Sequence, residues 1–322
     1  MGSVSERPRN SAKSMVLRIG VSALLMVWLL NKMPLDRLKT AFLNANCVLL
    51  ALALLTTLVC ALVQTMRWAV VLNAMGSTIP FSGLLRSNFV GLFFNLFTPS
   101  NVGQDAARVV DFRSSGDSVA TGLASVAIDR LLGLLAMLVF ALVAFPLASG
   151  RLPDSSAVTM AVCVISICLA FVFGLLCSPA GKIVGRFAAR FLPAKVDKGL
   201  RQFYGMTKQM TAKPGKAFCA VLLALIFQFL VIFANYLIAG AVGVSISLPL
   251  LILLVPLTGL VASIPISING VGLREWAYVQ LWGAFGVTSE QAFLSSLAFL
   301  ATWVAMGLVG AVVYTTRRQA LS

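Results

Sequence analysis

Apolar residues fall in long runs along this chain, at 47–63, 131–145, 157–177 and 217–234, without the alternation of period two that a membrane strand requires. As helices, such runs reach or nearly reach across the ~30 Å hydrocarbon core of a bilayer. The pattern predicts helices over about 14–33, 45–73, 118–148, 157–177, 217–242 and 290–314. Two further apolar segments are broken. Residues 81–99 are interrupted by Arg86, Asn88 and Asn95 and closed by Pro99, and residues 246–268 form the second such segment. A charged tail before an apolar run also resembles a secretory signal, but no small-residue cleavage site follows around Leu30, Asn31 and Lys32, so the first helix reads as retained.

Composition agrees with this pattern. Of the 322 residues, 59% are hydrophobic and 11% charged, far too little charge to cover a soluble domain of this length. The expected fold is an all-α polytopic membrane protein forming one membrane domain over residues 1–322. The net charge of +15 is carried by residues flanking apolar spans, with no aromatic-basic surface among them, which argues against nucleic acid. The six cysteines lie in apolar segments without ligand spacing and read as small hydrophobes. With no histidine in the chain, the usual general base and the commonest metal ligand are both missing. No metal or cofactor is expected.

Basic residues orient membrane spans, because cytoplasmic flanks are enriched in Lys and Arg. Arg7, Arg9, Lys13 and Arg18 stand against Glu6 and place the N-terminus inside. Residues 178–216 hold Lys182, Arg186, Arg190, Lys195, Lys198, Arg201, Lys208, Lys213 and Lys216 against Asp197, a basic cytoplasmic segment suited to anionic lipid headgroups or serving only as an orientation signal. Both placements hold if the two broken segments enter the membrane and return on the same side. Arg317 and Arg318 then also lie inside, giving cytoplasmic termini and six full spans with two re-entrant segments. Two full crossings with the N-terminus outside are the alternative.

The broken segments end alike. The first reads Thr98, Pro99, Ser100, Asn101, Val102, Gly103, Gln104, Asp105, Ala106, Ala107, Arg108; the second reads Pro265, Ile266, Ser267, Ile268, Asn269, Gly270, Val271, Gly272, Leu273, Arg274, Glu275. Each carries Pro, Ser, Asn and Val-Gly, then an acid with an arginine nearby. On the charge-derived topology, repeat 1 (45–148) runs opposite to repeat 2 (217–315). Inverted repeats with broken helices at mid-depth are a transporter architecture, in which irregular backbone lines a cavity.

The chain has ten acids, and Asp105, Asp129 and Glu275 sit near the breaks beside Arg108, Arg130 and Arg274. Charges at such depth pair or do work. Asp105 and Arg108, three apart, could share a helix face. Asp129 and Arg130, like Arg274 and Glu275, are sequence neighbours that point apart on a helix, so pairing across the repeats is expected: Asp129 with Arg274, or Glu275 with Arg130. As a headgroup site, Arg108, Arg130 and Arg274 would grip a phosphate. Asn101 and Asn269 would cap half-helices whose amides favour anions. Gly103, Gly270 and Gly272 would allow close backbone approach. Asp105, Asp129 or Glu275 would serve as a coupling site. The plain alternative is a salt-bridge network that only locks the breaks. Asn73, Asn88, Asn95 and Asn235 read as interhelical hydrogen-bonding groups, Gly307–Ala311 as a packing stripe, and Trp28, Trp276, Trp282 and Trp303 as interfacial anchors.

The segment from Asn95 through Pro99, Gly103 and Asp105 to Arg108 resembles the membrane region of the lysylphosphatidylglycerol synthase family, a flippase-like group. Ala124, Ser125, Asp129, Arg130 and Gly133 carry the same likeness, as does the segment from Pro265 through Gly270, Gly272 and Arg274 to Glu275. The likeness extends over about residues 15–315. It departs at Gln104 and Asn269, where glycine is more usual; asparagine tolerates left-handed backbone, and Gln104 bears on headgroup preference. The resemblance implies movement of a phospholipid or a polyprenyl-linked lipid between leaflets of a bacterial inner membrane, with lipid-biosynthesis proteins as partners. It also implies that the soluble aminoacyl-transferase domain of the full-length synthases is not part of these 322 residues. The reading from another class is a membrane enzyme or enzyme subunit with Asp105, Asp111 and Asp117 around Mg²⁺, although residues six apart gather poorly on one helix. A scaffold for a biosynthetic partner is the third.

Overall fold

The computed structural model describes residues 20, 22–31, 35–98, 102–114, 119–148, 203, 205, 207–264, 267 and 269–319. Helices account for nearly all of them: α1 (Ser22–Asn31), α2 (Leu35–Leu43), α3 (Cys47–Ala74), α4 (Phe81–Asn95), α5 (Val102–Ser114), α6 (Val119–Ala148), α7 (Pro214–Ala241), α8 (Leu248–Ala262), α9 (Leu273–Gly283) and α10 (Ser289–Gln319). Among the described residues, α3, α6, α7 and α10 are long and apolar enough to cross a membrane. The span expected over 157–177 lies outside the described residues, as does most of the basic segment 178–216. Residues 35–43, expected only as a connection, form the amphipathic α2, whose Phe42 and Leu43 are exposed.

Local chemistry sets the helix ends. Asn46 caps α3, its Oδ1 accepting from the amides of Val48 at 3.0 Å and Leu49 at 3.2 Å. Pro214 opens α7, where its missing N–H costs nothing. Lys213 donates to the carbonyl of Ala74 at 2.8 Å, and Lys216 reaches Asn73. Two cations of the basic segment therefore close the C-terminus of α3, where the helix dipole favours positive charge.

Those contacts also establish direction. The end of α3 meets the start of α7, while the start of α3 meets the end of α7 through the Asn46 amide and the Ala241 carbonyl at 2.9 Å. The two helices are antiparallel and make the most extensive helix–helix contact in the described structure. Alanines seal both ends: Ala74 against Ala220 and Ala224 at one, Ala53 against Ile238 at the other.

The two halves repeat one another. A single residue offset carries Cys47 onto Pro214, Ala74 onto Ala241, Phe81 onto Leu248 and Asn95 onto Ala262. The same offset carries Gly76 onto Gly243, and both hold positive φ, at 87° and 76°, in the turn that follows the long helix. Packing is reciprocal as well: α4 lies on α10 as α8 lies on α6, and α3 meets α6 as α7 meets α10. Because the equivalent helices α3 and α7 run in opposite directions, this is an inverted repeat.

Each break is the tip of a helical hairpin. In the first half α5 folds back on α4, so that Gln104 and Arg108 both reach Asn88, seven residues before the end of α4. The two helices approach closely: a Cβ on Gly103 would lie 2.6 Å from the Phe94 carbonyl, and one on Gly91 would lie 3.0 Å from Gln104. In the second half, Leu251 and Leu254 of α8 share a core with Tyr278 and Trp282 of α9. The two tips meet, Asn95 Nδ2 donating to Asn269 Oδ1 at 3.4 Å. The expected packing role of Gly307–Ala311 is confirmed at Gly310, where a Cβ would sit 1.9 Å from the Phe89 carbonyl.

Candidate functional site

A cavity of about 440 Å³ opens where the tips meet. Both halves build it. Gln64 and Arg67 come from α3, Asn95 from the first tip, Gln104 and Asp105 from α5, and Asp129, Arg130 and Gly133 from α6. From the second half come Gln228 on α7, Thr258 on α8, Asn269 and Gly270 at the tip, Arg274 on α9, and Phe299 and Trp303 on α10.

Its floor is a charged network wholly inside the first half. Asp129 accepts from Arg67 Nε at 2.6 Å through Oδ1 and from Arg108 Nη1 at 3.1 Å through Oδ2, and Asp129 and Arg108 are completely buried. Arg108 is further held by Asn88 Oδ1 at 2.6 Å and by the face of Trp68, 4.7 Å away. Asn88 in turn donates to Thr65 Oγ1 and to the Ala61 carbonyl, securing α4 and α5 to α3. Beside this triad, Arg130 Nη2 binds Asp105 Oδ1 at 2.7 Å and Gln104 Oε1 at 3.0 Å. Asp129 and Arg130 do point apart to different partners, as sequence neighbours on a helix must.

The pairing across the repeats does not form. Asp129 meets Arg67 and Arg108 instead of Arg274, and Arg130 meets Asp105 instead of Glu275. Nor do Asp105 and Arg108 pair with each other; each reaches across to α6. The reason is the hairpin. Folding α5 back on α4 presents residues 104–108 to α3 and α6 before any second-half side chain can reach them. Arg67 went unnoticed in the sequence because it sits inside an apolar run near the end of α3. A buried arginine within a membrane span was itself the available signal.

The remaining site residues divide. Arg130, Arg274, Asn269, Gly270, Asp105 and Asp129 line the cavity; Arg108, Gly103, Gly272 and Glu275 stand behind it. Asn101 lies outside the described residues, as do Asp117 and the side chain of Asp111. Asn269 does not cap α9. That position belongs to Gly272, at φ 84°, whose N–H donates to Glu275 Oε2 at 2.5 Å, with Ser296 Oγ donating to Oε1 at 3.0 Å. Asn269 instead takes left-handed backbone, φ 48°, a conformation asparagine tolerates. Gly103 and Gly272 serve packing, since a Cβ on Gly272 would crowd the Ser22 carbonyl of α1 at 3.0 Å. Trp282 is no interfacial anchor: it is fully buried and stacked on Tyr278, whereas Trp303 faces the cavity. Trp28 and Trp276 are exposed.

Arg274 differs from Arg67, Arg108 and Arg130. It makes no ion pair within the described residues; Nη2 donates to the Asn269 carbonyl at 2.8 Å, the guanidinium lies 6.0 Å from the Phe299 ring, and Nη1 is buried without an acceptor. Arg67 Nη1 is likewise buried with no acceptor among the described residues. Two cavity-lining arginines, one from each half, thus each hold a buried donor with no acceptor among the described residues.

Residues 15–310 match the family described as the lysylphosphatidylglycerol synthase TM region. The chain belongs to that family. It is also similar to UPF0104 membrane protein PH1989 of Pyrococcus horikoshii, at 24% identity over 96% of this chain and 99% of the relative. UPF0104 membrane protein MJ1595 of Methanocaldococcus jannaschii is 22% identical over 92% of this chain and 93% of its own length. Family membership and the four long apolar helices together make this an integral membrane protein, related to a family named for a membrane lipid.

Proposed function

We propose that the protein translocates a phosphate-bearing lipid, a phospholipid or a polyprenyl-phosphate-linked lipid, between the leaflets of its membrane. The headgroup enters the cavity at the hairpin tips while the tails stay in the bilayer. One observation carries this reading: Arg67 and Arg274 line a common cavity from opposite halves, and each holds a buried guanidinium nitrogen with no acceptor among the described residues. An unused buried donor of this kind is costly unless a ligand supplies the acceptor, and guanidinium is suited to phosphate. Arg108 and Arg130, each bound to an aspartate, serve as the frame that positions Arg67 and Gln104.

The inverted repeat supports the same reading. Two hairpins related by opposite direction and touching through Asn95 and Asn269 can open to one side or the other in equivalent ways. The test is purified protein in liposomes with leaflet-specific quenching of fluorescent phospholipids and polyprenyl phosphates. Wild type exchanges lipid between leaflets, and Arg274→Ala abolishes exchange while eluting as a folded protein. Exchange that continues at the wild-type rate in Arg274→Ala refutes the site. Absence of exchange for every phosphate lipid offered refutes translocation of this lipid class.

A further inference from the structure

Donors and acceptors on the cavity wall are unequal. Both oxygens of Asp129 are taken by Arg67 and Arg108, and both oxygens of Asp105 accept from Arg130. Every carboxylate oxygen lining the cavity is therefore committed to a guanidinium. On the cationic side, Arg67 Nη1 and Arg274 Nη1 have no acceptor among the described residues. Among the described residues, three arginines and two aspartates line the cavity, a surplus of one positive charge. Including Arg108 and Glu275 behind the wall makes it four against three and leaves the surplus unchanged.

The rest of the polar lining is neutral. Gln64, Gln104, Gln228 and Asn269 present amides, and Thr258 and Ser263 present hydroxyls. Such groups donate and accept and so suit the hydroxyls of a polyol. They cannot neutralise an ammonium group. Gln228 is 2% exposed, faces the cavity and makes no hydrogen bond within the described residues, so its amide is available.

Resting on the reading of this cavity as a headgroup site, we infer that it selects headgroups of net negative charge whose other groups are uncharged hydroxyls, a phosphate ester of glycerol or of a sugar. Headgroups that carry an ammonium group are rejected. An ammonium held ~6 Å from the surplus guanidinium, at an effective dielectric of ~20, is disfavoured by about a hundredfold. The lysyl ester for which the family is named carries two ammonium groups on one phosphate and is the least suited of the lipids considered.

The test separates binding from transport. Binding of phosphatidylglycerol, phosphatidylethanolamine and lysylphosphatidylglycerol to the full chain in neutral detergent is measured by native mass spectrometry. Wild type binds phosphatidylglycerol at least about tenfold more tightly than either ammonium-bearing lipid. Arg274→Ala removes that preference, which distinguishes the cavity from general attraction to a chain of net charge +15. Gln228→Glu places an uncommitted carboxylate in the wall and narrows or inverts the order. Ser263→Asp does the same from the exposed rim and serves if Gln228→Glu does not fold. Equal binding of the three lipids by wild type, or an unchanged order in a folded acidic variant, overturns the inference. Equal exchange of all three lipids in liposomes overturns charge selection and leaves translocation standing. Selective binding without exchange of any lipid does the reverse.

Discussion

Removing the carboxylate of Asp129 while keeping its shape strikes the one group on which two buried arginines depend. In Asp129→Asn, Arg108, fully buried, and Arg67, 3% exposed, lose their only ion-pair partner within the described residues. Breaking a buried pair by deleting one member costs about 3–5 kcal/mol, mostly because a charge is left uncompensated. Set against a folding free energy of about 5–15 kcal/mol, that is a large fraction. At about 2–4 °C per kcal/mol, the apparent melting temperature falls by about 6–20 °C. The comparison is Asp105→Asn, whose pair with Arg130 has side chains 29% and 32% exposed. Solvent screening there limits the loss to about 1 kcal/mol or less.

The assay is size-exclusion chromatography of detergent-solubilised protein after a temperature series, reading the monodisperse peak. Adding Arg67→Met to Asp129→Asn removes one of the two uncompensated charges. Arg108 keeps Asn88 and Trp68, so the double variant recovers part of the lost stability. Equal melting temperatures for Asp129→Asn and Asp105→Asn, or a double variant no better than Asp129→Asn alone, would refute the assignment of the triad as the keystone of the first half.

Gly310→Leu forces a side chain into the Phe89 carbonyl, 1.9 Å from an ideal Cβ, so α4 and α10 separate and the monodisperse peak is lost. Gly133→Leu fills the space beside Arg67 Nη1, 3.8 Å from an ideal Cβ, and abolishes lipid exchange in liposomes with the melting temperature within a few degrees of wild type. In a background without other cysteines, Asn95→Cys with Asn269→Cys is bridged between the tips by a short bis-methanethiosulfonate reagent; exchange stops on cross-linking and returns on reduction. A short bis-methanethiosulfonate reagent bridges cysteines at Asn73 and Lys216 but not cysteines at Asn46 and Lys216, because α3 and α7 are antiparallel; the readout is a gel-mobility shift reversed by reductant.

Helix class, the four long spans and the two broken segments were legible in the sequence, because hydropathy over twenty residues is a local property set by the bilayer. At Asn269 the sequence allowed left-handed backbone, which the residue takes, but pointed to a helix cap that Gly272 supplies instead. Helix geometry alone required that Asp129 and Arg130 seek separate partners. Which partners they took was decided only in three dimensions. That choice depends on α5 folding back along α4 and on α3 lying against α6, and neither is written in any local pattern. The same folding drew Arg67 from an apolar run into the charged centre, set Trp282 inside and Trp303 on the cavity, and left Arg274 without a carboxylate among the described residues. A sequence determines how much buried charge must be compensated; packing alone decides which groups are close enough to compensate it, and which donors remain for a ligand.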